Sequence, residues 1–105
     1  MNDTQHMRQS QLVERVYAMT LEIEEAEQLS DWRRAASISE KRSPLLLGIT
    51  AQQKPASLEL IARIRELDAA RIEAARVAQT ELTQEYQAAM ASTNAARQYQ
   101  TVARY

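Results

Sequence analysis

The sequence has no cysteine, no phenylalanine, one glycine, two prolines and one histidine among its 105 residues. Each scarcity removes a class of structure or chemistry. Without cysteine there is no disulfide, no thiolate nucleophile and no thiolate metal site, a usage that fits a reducing cytosol. A phosphate-cradling loop needs several glycines, and Gly48 stands alone. The single histidine, His6, sits near the N-terminus, where a fraying, solvent-exposed side chain is the simpler expectation than a general base. A di-iron helical site would need repeated Glu-x-x-His pairs, and no second histidine exists. No metal and no cofactor is therefore expected.

Charge of one sign is lacking too. The 13 basic and 14 acidic side chains give a formal net charge of -1, which offers no basic footprint for nucleic acid. No run approaches the ~18 apolar residues of a membrane-crossing helix. The start, Met1 to His6, is polar and carries no apolar signal segment. These features predict a cytoplasmic protein without membrane insertion.

What remains is helix-forming material: Ala, Glu, Gln, Arg and Leu throughout, with Leu, Ile, Val and Ala to build a core. A β-sandwich would want more β-branched and aromatic residues than Trp32 and the four tyrosines supply. A chain of this length forms one domain of modest core. The expected fold is all-α, an antiparallel helical bundle of three main helices with a short C-terminal helix.

Three punctuation marks divide the chain. Ser30-Asp31-Trp32 offers a cap before a fresh apolar pattern, Gly48 to Pro55 reads as a loop, and Ser92-Thr93-Asn94 is a softer break. Helix one is expected over about 4–29, with the seam Leu12, Val16, Met19, Ile23 and Ala26 widened by Val13 and Tyr17. Helix two, about 31–50, carries Trp32, Ala35, Ile38, Leu45, Leu46 and Ile49 on one side. Its Pro44 deletes the bond to the Glu40 carbonyl and predicts a kink, or a restart capped by Ser43. Helix three is long, with Ser57 as its cap and the seam Ile61, Ile64, Ala75, Ala78, Leu82 and Tyr86. A weakly apolar segment over 94–105 has Ala95, Tyr99, Val102 and Tyr105, and would be mobile.

Asp68 and Arg71 interrupt the third seam, three residues apart. They form either an ordinary i,i+3 pair at its edge, or polar selectors in an open groove. Trp32 reads first as a core anchor between helices one and two, and second as a binding hot spot. Glu22, Glu24, Glu25 and Glu27 spread around their helix as a solvated face. Leu47, Leu58 and Leu67 lie toward seam edges, where three helices leave room for an exposed apolar groove.

The enzymatic alternative with most support is a chorismate-mutase-like helical dimer. The stretch Ile64 to Arg76 faintly resembles that family's first helix, but it lies in the third helix and no lysine follows it. A purely structural oligomer, with seams paired between subunits, is the other alternative.

One pattern is more specific. Ala26, Asp31-Trp32, Arg42 and Leu45-Leu46 resemble the FliT family of flagellar export chaperones, as do the long third helix and the end from Ala95-Ala96-Arg97 to Tyr105. Pro44 departs from that family's uninterrupted second helix. The resemblance implies a non-enzymatic cytoplasmic chaperone that holds the C-terminal segment of the filament-cap protein FliD. It would deliver this client to the type III export apparatus through its export ATPase complex. In some members the same protein restrains the flagellar master regulator, and a homodimer is compatible with the role. The residues expected to line the client groove are Leu45, Leu46, Ile49, Leu58, Ile61, Ile64 and Leu67, with Asp68 and Arg71 as polar selectors. A C-terminal segment bearing Tyr99, Val102 and Tyr105 would cover the groove reversibly. Burying about five aliphatic side chains at roughly 1.5–3 kcal/mol each, before ordering costs, supports micromolar or tighter binding.

Overall fold

The computed structural model describes residues 2–103. The described chain is all-α: α1 (Asn2–Gln28), α2 (Trp32–Leu47) and α3 (Pro55–Ala103), with no strand among the described residues. No helix among them is long and apolar enough to cross a membrane. The chain divides into two units, Met1–Arg71 and Ile72–Tyr105, so α3 contributes its first turns to one and the rest to the other.

In the first unit, one side of α1 is fully committed to the interior. Val13, Val16, Met19, Thr20, Ile23 and Ala26 are buried, recurring at the three- and four-residue steps of a helix face. Val13 and Val16 meet Ile64 of α3, and Leu12, Tyr17, Leu45, Leu46, Ile49, Leu60 and Ile61 pack around them. Farther along, Ile23 and Ala26 meet Ala35 and Ile38 of α2. Small residues at Ala26 and Ala35 let the two backbones approach.

The α1–α2 turn is closed by backbone geometry. Asp31 N–H donates to the Ala26 carbonyl at 2.8 Å and Ser30 N–H to the Glu27 carbonyl at 3.0 Å, the paired bonds of a Schellman ending. That ending needs a left-handed residue, and Ser30 supplies it at φ 57°. Asp31 then caps α2, its carboxylate accepting from Arg34 N–H at 3.2 Å. Trp32, expected in the core, is instead 63% exposed. It is the first residue of α2, and α1 ends at Gln28 with Ala26 as its last buried side chain, so no α1 surface remains to receive the indole.

Pro44 does not split α2, which runs unbroken to Leu47. Ser43 caps no restart: its hydroxyl donates back to the Ser39 carbonyl at 3.1 Å. At the helix end, a Cβ on Gly48 would stand 3.3 Å from Leu12 Cδ2, so the absent side chain admits a close approach to α1. The following loop is held by Gln9 of α1. Its amide nitrogen donates to the Gly48 carbonyl at 3.1 Å, while its oxygen accepts from Thr50 N–H at 3.1 Å and from Gln53 Nε2 at 2.7 Å. One side chain thereby replaces the backbone partners that an irregular segment lacks.

α3 begins earlier than its expected cap. Pro55 occupies the first helical position, and the Lys54 carbonyl accepts from Leu58 N–H at 3.0 Å. Ser57 is therefore not a cap but a buried first-turn residue, its hydroxyl 3.3 Å from that of Ser10 in α1.

In the second unit, α3 continues without interruption to Ala103, so the expected break at Ser92-Thr93-Asn94 and a separate C-terminal helix are not present. The physical reason lies in where the hydroxyls go. Thr93 donates to the Ala89 carbonyl at 2.9 Å, and Thr80 and Thr101 likewise bond four residues back. A hydroxyl used this way is engaged with its own helix and does not cap a new one. Without glycine or proline after Pro55, nothing else ends the helix. Every residue from 72 to 102 is exposed.

Candidate protein-binding surfaces

Asp68 and Arg71 are the centre of a polar network that ties all three helices of the first unit. Asp68 Oδ1 accepts from Arg42 Nη1 of α2 at 2.9 Å and from Arg71 Nη1 at 2.8 Å. Arg71 also donates through Nε and Nη2 to Glu27 Oε1 of α1, at 3.0 and 2.8 Å. Arg42 Nη1 donates to Thr20 Oγ1 at 2.8 Å, and the Thr20 hydroxyl in turn donates to the Val16 carbonyl at 2.8 Å. Two guanidinium groups meet two carboxylates, so the cluster is neutral while largely withdrawn from water. Burial works against the Arg71 charge, but the hydrogen bond and attraction of Glu27, followed by those of Asp68, outweigh it and hold the group above its ordinary value. Arg42 Nε is buried without an acceptor, a cost the cluster carries.

This network contains more than the sequence reading assigned. The i,i+3 pair of Asp68 and Arg71 is there, but Arg42, Thr20 and Glu27 complete it. Arg42 could have been found: at steps of three and four from Ala35 and Ile38 to Leu45, it occupies a slot in the apolar side of α2. Glu24 and Glu27 are half-buried and so leave the expected solvated acidic face, whereas Glu22 and Glu25 stay exposed, Glu25 3.9 Å from Arg34. The acceptor and donor groups of Asp68 and Arg71 engage one another and their neighbours, which makes the pair a lock between helices.

The apolar residues expected to line a groove divide into two kinds. Ile64 is buried in the core, and Leu45, Leu46, Ile49, Ile61 and Leu67 are half-buried. Leu58 is exposed, as is Leu47, at 88%. Apolar side chains thus reach solvent in the last turn of α2 and the first turn of α3, on both sides of the loop that Gln9 holds.

In the second unit Tyr99 and Val102 are exposed, whereas Tyr105 and the His6 side chain lie outside the described residues. Ile72, Val77, Leu82, Tyr86 and Met90 are exposed as well. Arg76 pairs with Glu73 at 2.6 Å on the surface, which holds the Glu73 carboxyl below its ordinary value. No group of three or more histidine, aspartate or glutamate side chains is placed to hold a metal among the described residues. The chain matches no family model, no curated protein and no solved structure.

Proposed function

We propose that the chain is a protein-binding chaperone of the FliT kind, acting in the cytoplasm without a catalytic step. In this reading residues 2–71 form an antiparallel three-helix bundle that holds the C-terminal segment of the filament-cap protein FliD until the export ATPase complex receives it. The observation that carries it is the apolar rim around the α2–α3 connection. Leu47 and Leu58 stand in water while their neighbours Leu45, Leu46, Ile49 and Ile61 are only half-covered by the core. An amphipathic client helix offers the complementary apolar face for such a rim.

The resemblance supports the same reading at particular positions. Its arginine is Arg42, which locks α2 to α3, and its leucine pair packs on the core beside the rim. Its aromatic, Trp32, is exposed and free to bind.

The experiment is a calorimetric titration with FliD, intact and without its C-terminal helix. Binding that vanishes with the truncation, and that Leu47→Glu or Leu58→Glu weakens at least about tenfold, supports the reading. Both substitutions fall at exposed sites and should leave the fold intact. No binding to either form of FliD would remove the assignment.

A further inference from the structure

The last third of the chain carries a second surface, independent of the client reading. At 3.6 residues per turn, Ile72, Arg76, Leu82, Tyr86, Met90 and Arg97 fall within about a third of the α3 circumference. All six are exposed. The acidic residues of this segment, Glu73, Glu81 and Glu85, fall on the remaining circumference. Charge is therefore sorted by face: the side with Ile72, Leu82, Tyr86 and Met90 bears Arg76 and Arg97 and no carboxylate, while Val77, Tyr99 and Val102 lie off it. A shallow depression lined by Arg76, Gln79, Thr80, Thr83 and Gln84 lies at one edge of that side.

We propose that this stripe docks an amphipathic helix of another protein whose apolar seam is flanked by carboxylates. Two features of the stripe select this occupant. Its aliphatic and aromatic groups need an apolar partner, because an isolated helix of this kind gains most of its stability from packing. Its arginines need acceptors: Arg76 has only the exposed i,i+3 pair with Glu73, a weak competitor, and Arg97 forms no ion pair among the described residues. A second copy of the same stripe would set arginine-bearing faces against each other. An anionic membrane surface is a poorer fit, since membrane-surface helices are rich in lysine, arginine and large apolar residues, and this segment has three arginines, no lysine and three glutamates.

The test uses the full chain and two synthetic helical peptides with one leucine seam, flanked by glutamate in one and lysine in the other. Vesicles rich in phosphatidylserine and a sedimentation run complete the set. The glutamate-flanked peptide should bind about tenfold more tightly than the lysine-flanked one at low salt, a preference that shrinks as salt is raised. The double substitution Arg76→Glu, Arg97→Glu should reverse the preference, while Glu81→Gln on the opposite side should not; circular dichroism checks that each variant keeps its helix content. Equal affinity for both peptides, binding to neither, capture by vesicles alone, or a self-associated chain whose stripe no peptide reaches would each overturn the proposal. FliD binding at the Leu47–Leu58 rim should be unaffected by the arginine reversal, so either reading can fail without the other.

Discussion

Residues 55–71 and 72–102 belong to one helix and share one vocabulary of alanine, arginine, glutamate and aliphatic residues, yet their environments differ completely. Ile64 is 4% exposed and Leu82 is 66% exposed. Arg71 binds the half-buried carboxylates of Glu27 in α1 and of Asp68, which Arg42 of α2 also holds, whereas Arg76, five residues farther on, has only the surface Glu73. Both stretches satisfy the same apolar periodicity. Periodicity reports that a helix has an apolar side; it does not report that the same chain covers it. In the first stretch α1 and α2 provide the cover. In the second, the apolar side is left uncovered in the free chain, and the proposed second docking surface rests on that.

The sharpest way to break this contrast is to truncate an apolar residue in each region. Ile64→Ala should cost roughly 2–5 kcal/mol of unfolding free energy, because it opens a cavity in the closed part of the core. Leu82→Ala should stay within about 0.5 kcal/mol, as surface changes do. Urea unfolding of the two variants measures both, and similar losses would mean that Leu82 is covered after all.

Next comes the polar lock. Asp68→Ala strands Arg42 in the interior and should cost about 3 kcal/mol, against no measurable effect for Glu73→Ala, whose pair with Arg76 is fully in water. The comparison was only half visible in the sequence. Asp68 and Arg71 stood out as charges in an apolar seam, but their partners lie 26 and 44 residues away, and no local rule connects positions so distant. The helices themselves were more legible. The extent of α1, a cap within Ser30-Asp31-Trp32 and the loop before Pro55 follow from composition and capping chemistry. Trp32, Ser57 and Thr93 misled because each has two uses. An aromatic after a cap is core only where another helix extends to meet it, and a hydroxyl caps only if it is not engaged elsewhere, as that of Ser57 is with Ser10 and that of Thr93 with the Ala89 carbonyl.

A smaller effect should come from Gln9→Ala, which strips three hydrogen bonds from the α2–α3 loop. A loss of about 1–2 kcal/mol is expected by thermal unfolding. One change should be a gain. Ser30 adopts the left-handed conformation with a side chain, so Ser30→Gly should stabilise the α1–α2 turn by roughly 0.5–1 kcal/mol.

The most direct test of the central claim, that one helix is self-covered at its start and uncovered beyond, is hydrogen–deuterium exchange resolved along α3 of the free chain at neutral pH. The account predicts strong protection of the amides around Leu60–Asp68, where the core and the Arg42–Asp68–Arg71 network hold the helix, and fast exchange from about Ala75 to Val102. Protection of equal strength along the whole helix would contradict it, because the later turns would then be buried in the free protein and no surface would be waiting for a partner.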